Sequence, residues 1–424
     1  MSGRVQLASI GTQDAYLTGQ PEITYFLKRF KRHTKFATET IDNALDGDIK
    51  FGSRLRCTIP RKGDLIKNIY LRIELSDLTY AESPYNVGYT DSIGHAIIEY
   101  ADLMIGGQTI ERLTGEYLEI YSELFFSESQ QRGVKWLTGK TGTRAGLGPA
   151  STDSTITNNY YGKYPRTFFI LLPFYFNRHE SMSIPLSAID KQEVEIEIKL
   201  RHLSELYVQS DGSPAPPSTP TGSIVNISMP VEYVFVTDDE MNYIKNQPIN
   251  YVITQLQLSK FTIEANETSK KLLLRFVNPV KELYMVIQNQ EDRENNDWFK
   301  FKNDENTNFP LNEQLDKLSL SFNNEERITD EIANALFLRQ LQPMNFHTRI
   351  PDRFFYTYSF SLDPENHIPS GQVNMSRIQN KVLKINTTNN TKKRDVRIYA
   401  KSYNVLRIQY GLAGVLFTDN NFIN

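Results

Sequence analysis

The sequence predicts an all-β protein made of two domains, and three observations carry that expectation. Its 424 residues exceed the ~50–250 of a usual domain, so two cores of roughly 200 residues each are the natural division. Several segments alternate strictly between apolar and charged residues, the period of a strand with one buried and one wet face. In 193–200, for example, Val194, Ile196, Ile198 and Leu200 share one face, and Glu193, Glu195, Glu197 and Lys199 the other. The chain also holds 23 Tyr and 24 Phe, residues that favour strands. No long helical pattern separates the strands, which argues against a βαβ architecture and for an antiparallel sandwich.

Taken in order, residues 1–24 fit no strand of a sandwich, and Met1 to Gln6 lack the apolar stretch of a secretory leader. A basic run follows: Lys28, Arg29, Lys31, Arg32 and Lys35. Its plain reading is a solvated strand edge whose charges discourage edge-to-edge pairing. Its functional reading is a positive patch that meets an acidic partner, an anionic lipid surface or nucleic acid. Cys57 lies in an alternating stretch and is expected to be packed inside. As the only cysteine it rules out an intrachain disulfide and a cysteine zinc cluster, which suits a reducing compartment.

Alternation recurs in 70–75, 317–322, 396–399 and 406–409. Residues 168–172 are continuously apolar and are expected to be buried on both faces. The longest apolar run, 168–176, is interrupted by Pro173 and falls far short of the ~20 residues that span a bilayer. Three short helices are expected. Leu113, Tyr117, Ile120, Tyr121 and Leu124 share one helical face. Thr329, with Asp330 and Glu331 at the positive end of the dipole, opens a second helix. Thr237, Asp238, Asp239 and Glu240 form a capping box that turns strand 231–236 into a helix near 241–244.

Comparing the chain with itself supports two copies of one fold. Glu111-Arg112-Leu113-Thr114 and Glu326-Arg327-Ile328-Thr329 each follow a strand and open a helix. Phe168-Phe169 leading to Ile184-Pro185 resembles Phe354-Phe355 leading to Ile368-Pro369. The first copy is longer, and 138–163, rich in Gly, Thr, Ser and Asn, is the expected inserted surface loop. Two joins are open. The Pro-rich tract at 210–222 is the linker by composition, whereas a crossover at 245–256 keeps strand 231–236 in the first copy.

Catalytic signatures fail residue by residue. Gly139-Lys140-Thr141 has the tail of a phosphate-binding loop, but Val134 stands where its first Gly is needed. His179-Glu180 begins a zinc-protease pattern, but Ser183 replaces the second histidine. The other histidines are scattered, and no Gly-x-Ser-x-Gly elbow occurs. No enzyme, cofactor or metal is expected. A net charge of −3 argues against general nucleic-acid binding. Five Asn-x-Ser/Thr sequons, at Asn226, Asn266, Asn374, Asn386 and Asn389, read as coincidences of an Asn-rich chain. A rival from another class is a carbohydrate-binding or host-attachment β-sandwich, since Tyr and Phe can form sugar platforms as well as cores.

Several segments together resemble the major capsid proteins of nucleocytoplasmic large double-stranded DNA viruses. Tyr16-Leu17-Thr18-Gly19-Gln20-Pro21-Glu22-Ile23-Thr24, running on to Arg32-His33-Thr34-Lys35-Phe36, is similar to their N-terminal signature. Ile105-Gly106-Gly107-Gln108 resembles a first-domain hairpin, and Val231 to Glu240 the end of the first domain. Asp363-Pro364-Glu365, Pro369-Ser370-Gly371 and Asn374-Met375-Ser376-Arg377 resemble the most distinctive second-domain segment, and 403–414 the C-terminal strand. Lys35 stands where Asn is common in the family, and the basic run is denser than usual.

The resemblance implies two consecutive eight-stranded antiparallel jelly rolls with short helices in the loops. It also selects the later join. The expected division is an arm at 1–24, a first roll at 25–244 with long loops at 138–163 and 208–222, a linker at 245–256 and a second roll at 257–424. It implies a homotrimeric capsomer of pseudo-hexagonal outline that tiles an icosahedral shell in the virion and is assembled in the host cytoplasm. Its implied partners are neighbouring capsomers, minor capsid and penton proteins and an internal membrane, with no specific nucleic acid. The basic run would face inward. A minor capsid paralogue is the alternative within the family.

Overall fold

All five alternating segments become strands. The computed structural model describes residues 2–78, 87–140, 166–209, 220–304 and 312–417. The first half contains β1 (Phe36–Asn43), β2 (Arg54–Thr58), β3 (Leu65–Leu75), β4 (Val87–Tyr89), β5 (Ile98–Ile105), β6 (Gln108–Thr114), β7 (Arg166–Leu171), β8 (Ile184–Pro185), β9 (Val194–Leu200), β10 (Tyr207–Gln209) and β11 (Ile224–Val236). The second contains β12 (Ile249–Ile263), β13 (Ser269–Leu273), β14 (Pro279–Asn289), β15 (Leu315–Phe322), β16 (Glu325–Ile328), β17 (Phe355–Ser359), β18 (Val373–Asn374), β19 (Lys381–Thr387), β20 (Arg394–Gln409) and β21 (Leu412–Val415). Helices are α1 (Ser2–Ala8), α2 (Ala15–Thr18), α3 (Ile93–Ala96), α4 (Gly115–Phe125), α5 (Glu128–Thr138), α6 (Asp238–Asn246), α7 (Gln290–Glu294) and α8 (Gln342–Phe346).

The two halves repeat one strand order. In the first, one sheet runs β1-β11-β3-β7 and the other β2-β9-β5-β6. In the second, the orders are β12-β20-β14-β17 and β13-β19-β15-β16. Every pairing is antiparallel, and in each half the first long strand pairs with the last long one. Among the described residues no strand pairing crosses between halves. Each of these paths has four strands. β8, β18 and β21 add short pieces to these paths, and β4 with β10 makes a small separate sheet.

The second half has its own apolar core around Leu283, Met285, Leu318, Ile385 and Ile398. The first half's core extends beyond it: Ile253, Leu256, Tyr284, Val286, Tyr399, Leu406 and Ile408 of the second half belong to the same apolar cluster as Leu55, Ile69 and Ile198. The sheet centred on β14 and β20 is therefore covered on both faces. β14 is buried at every position from Val280 to Asn289.

Several expectations need correction. Segments 396–399 and 406–409 are one sixteen-residue strand, β20, continuous because β12 and β14 pair along its length. Residues 168–172 are not buried on both faces; β7 is an edge strand and Phe169 is 40 % exposed. Thr329 does not open a helix. The chain makes a turn there and becomes helical from Ala335, because the Asn334 side chain accepts the Phe337 N–H at 2.8 Å. Helix α6 forms and is longer than expected, but Thr237 makes no side-chain cap bond, so the capping box is absent. Helix α5 was not foreseen, although Ser127 and Gln130 form a complete capping box at its start.

The repeat is real but offset. It is β18 at 373–374, not Ile368-Pro369, that matches β8: each pairs with its half's equivalent strand, β14 or β3, and precedes a short 3₁₀ turn. Residues 245–256, expected as a linker, are mostly strand, since α6 ends at Asn246 and β12 starts at Ile249. The basic run precedes β1 and lies in no strand. Loop 138–163 beyond Lys140, and 208–222 between Ser210 and Thr219, lie outside the described residues.

Candidate functional site

Cys57 is buried in β2, and burial pushes its thiol up to about 11, which suits packing and not nucleophilic attack. Among the described residues no cluster of three or more His, Cys, Asp or Glu side chains is placed to hold a metal ion. The most elaborate chemistry instead joins the two halves.

Helix α4 starts where Thr114 accepts the Tyr117 N–H at 3.2 Å. Gly115 permits the start: a Cβ there would lie 2.2 Å from the His95 carbonyl oxygen and 2.4 Å from that of Ile98. The apolar face of the helix packs inward through Tyr117, Ile120 and Leu124, as their spacing predicts. Glu116, Glu119 and Glu123, at i, i+3 and i+7, make a second stripe along the helix. Each receives an arginine from the second half.

Arg397 of β20 donates to Glu116 through Nε at 2.7 Å and Nη2 at 2.7 Å, and the Tyr399 hydroxyl adds a third bond at 2.6 Å. Arg353 donates Nε to Glu119 at 3.0 Å and Nη2 to Asp91 at 2.7 Å. Arg349 reaches Glu123 at 3.2 Å, and the Asp352 backbone N–H donates to the same carboxylate at 2.7 Å. From the first half, Lys140 sits 3.0 Å from Glu119 and also pairs with Glu123, while His95 Nδ1 lies 2.7 Å from Glu119. Glu119 and Glu123 have no solvent-exposed side-chain surface. Burial pushes the Glu119 carboxyl up, but Lys140 and Arg353 outweigh it and hold it well below the usual carboxylate range. These are hydrogen-bonded, desolvated pairs, the kind whose disruption is costly.

A second buried cluster lies nearby. Glu282 of β14 accepts from the Tyr284 hydroxyl at 2.7 Å and pairs with His347 Nε2, whose other ring nitrogen lies 3.1 Å from Glu365. Burial alone would lower the imidazole, but the two carboxylates outweigh it and raise it to about 9. Glu111 accepts from Arg178 at 2.7 Å and from the Tyr175 N–H at 2.7 Å.

The signature residues scatter over these features. Glu365 joins the His347 cluster, and Pro364 beside it is buried. Gly106 and Gly107 make the β5–β6 turn with φ of +56° and +79°, which favours glycine at both. Asn374 caps the turn after β18 by accepting the Ser376 N–H, and Gly371 lies just before that strand with φ +137°. Pro369 and Arg377 are exposed and enter neither cluster. Gly19, Pro21 and Glu22 lie in the N-terminal arm with Lys28, Arg29, Lys31, Arg32 and Lys35. Every residue from Ser2 to Thr40 is exposed. Among the described residues, no hydrogen bond or ion pair joins 2–35 to the rest of the chain. Yet Tyr16, Tyr25, Phe26 and Phe30 lie there, more than 80 % exposed. The α4 acids and their arginines were not foreseen. Their signal was the i, i+3, i+7 spacing of Glu116, Glu119 and Glu123 beside the i, i+4 spacing of Arg349 and Arg353.

Comparison with known proteins places these features in a family. Residues 24–237 match the family model described as the major capsid protein N-terminus, and 240–414 match that of the large eukaryotic DNA virus major capsid protein. The major capsid protein of Pyramimonas orientalis virus is 30 % identical, covering 98 % of this chain and 99 % of that one. That of Paramecium bursaria Chlorella virus 1 is 26 % identical over the same shares. Among solved structures, the PBCV-1 virus capsid chain superposes with a TM-score of 0.77 at 24 % identity, covering 93 % of this chain and 100 % of that one. The Faustovirus major capsid protein does so with a TM-score of 0.72 at 14 % identity, covering 96 % of each.

Proposed function

Because the chain belongs to the major capsid protein family of large eukaryotic DNA viruses and has their double jelly-roll fold, we propose that it acts by association, as the repeating subunit of an icosahedral shell. Its unit is a homotrimer. Three chains of two like-folded halves present six similar corners, so a threefold assembly can tile a hexagonal lattice. The observation that carries this reading is the repeated strand order of the two halves, fixed together by the α4 carboxylates and three arginines. Such a lock keeps the two corners of one chain at a constant spacing, which a lattice requires. Repeated weak contacts between capsomers then add multivalently.

The division into functional units follows the arm, the half ending with α6 and the half beginning with β12. Shells are assembled in the host cytoplasm, with minor capsid and penton proteins and an internal membrane as further partners. The basic run at Lys28, Arg29, Lys31, Arg32 and Lys35 faces inward, towards acidic proteins or anionic lipid. An impermeant amine reagent applied to intact particles is expected to leave Lys31 and Lys35 unlabelled. Mass measurement and imaging of purified protein test the main reading. Three copies of the 48.9 kDa chain, about 147 kDa, in particles of hexagonal outline are expected. A stable monomer would overturn it.

A further inference from the structure

We propose that the cleft between the two halves beside Trp298 binds a small anion carrying several phosphate groups. The cleft has a volume of about 340 Å³, within the ~300–1,000 Å³ of small-molecule sites. Its walls come from β5, β6 and the end of β9 on one side, and from β12, β14, α7 and β20 on the other. Five cationic side chains line it: Arg112 and Arg201 from the first half, and Lys260, Arg293 and Arg397 from the second. Glu99 and Glu116 are the acidic residues of the lining, Asp102 and Asp395 stand behind Arg112 and Arg293, and neither Arg201 nor Lys260 has a carboxylate within 4.0 Å among the described residues.

The cations differ in how well they are paired. Arg112 is paired with Asp102 and Arg397 with Glu116, and Arg293 comes no nearer than 3.8 Å to Asp395. Arg201 has no carboxylate within 4.0 Å among the described residues. It is held by the Ala96 and Ile98 carbonyl oxygens and by the Trp298 ring, 3.9 Å from its guanidinium carbon. Burial lowers this guanidinium to about 10; Glu205 partly offsets that from a distance, and Arg293 adds to it. Arg397 is 6 % exposed, yet its Nη1 has no hydrogen-bond partner. An orphaned donor on a buried cation is costly unless an acceptor arrives.

The chemistry selects phosphate. Guanidinium forks match phosphate oxygens in pairs, and an ammonium adds a point charge. Arg201 and Arg293 already lie over Trp298, at 3.9 and 5.3 Å, so the indole is occupied by cations and offers no free platform for a base. Recognition therefore rests on the phosphate chain, and a bound polyanion would bridge cations of both halves.

Inorganic tripolyphosphate and ATP are the probes, titrated into the full-length protein by calorimetry and thermal melting, with NaCl at matched ionic strength. Both are expected to bind with affinities within about tenfold of each other and to raise the melting temperature beyond the salt control. Arg293→Gln with Lys260→Gln removes two exposed charges and is expected to weaken tripolyphosphate at least about tenfold. Should that double variant melt early, Lys260→Gln alone is expected to weaken binding about threefold. Stabilisation no greater than that of NaCl would overturn the proposal, and so would unchanged affinity in the variants. Preference for ATP by much more than tenfold would also overturn it, because the base would then be the recognised group.

Discussion

At the residue scale, Glu119 concentrates the cost of joining the halves. It has no exposed side-chain surface and neutralises Arg353 and Lys140, with His95 as a further neighbour. Glu119→Gln keeps the shape and removes the charge, leaving two buried cations short of a partner. The expected loss is about 3–5 kcal/mol in urea unfolding, partly recovered when Arg353→Met is added. His347 gives a pH signature. Its folded value of about 9 lies above the ordinary 6.5, so the folded state holds the proton more tightly. The associated stability is complete below about 6.5 and fades as pH rises through about 9. Melting from pH 6 to 10 should show that decline in the wild type and a flatter profile in His347→Gln; equal slopes would assign it to another group. Spacing set Glu119 in an acidic stripe without showing its partners, and no spacing marked His347. His347 meets Glu282 across 65 positions and Glu365 across 18, and only Glu365 stood in a recognisable segment. Folding creates these pairs, whereas a sequence window sees only neighbours.

At the element scale, legibility follows how much of an element's burial comes from its own sheet. β9 alternates because Val194, Ile196, Ile198 and Leu200 face the core while Glu195, Glu197 and Lys199 share the other face, where Arg56 of β2 pairs with the two acids, and the sequence shows it. β20 lies between β12 and β14 with the other half against it, so Lys401, Ser402 and Asn404 are buried beside apolar neighbours and the alternation disappears mid-strand. Helix α4 was half legible: its apolar face obeys helical spacing, while its acidic stripe reads as a solvated face until the arginines are in place. Two helical glycines separate packing from propensity. A Cβ at Gly115 would meet backbone oxygens that cannot swing away, so Gly115→Ala is expected to cost about 1–3 kcal/mol. Gly133, exposed in α5, has nothing within 4 Å of its Cβ position, so Gly133→Ala should stabilise by up to about 1 kcal/mol. Opposite shifts of the urea midpoint are the outcome to look for. A tolerated Gly115→Ala would mean that α3 and α4 are not in close contact.

At the scale of the whole molecule, the two halves form a body with a continuous apolar and ionic interface, and the arm shares none of it. The strand-poor composition of 1–24 was legible; the stretch outside any strand extends to Lys35, and exposure runs on through Thr40 in β1. Tyr16, Leu17, Ile23, Tyr25, Phe26, Leu27 and Phe30 expose large apolar surfaces next to the five cations of the basic run. Exposed apolar side chains concentrated in one segment mark a contact made with something outside the chain. The body keeps both sheets of each half without the arm, so folding and formation of the proposed trimer should not need residues 2–24. Their apolar surface is then available for the contacts proposed between capsomers. Deleting residues 2–24 is expected to leave the mass of the trimer reduced only by the missing segments and its melting temperature unchanged, while the yield of closed shells falls sharply. Normal shells from the deletion protein, seen by electron microscopy, would remove the arm from assembly. Loss of the trimer itself would move the arm's role from contacts between capsomers to contacts within one.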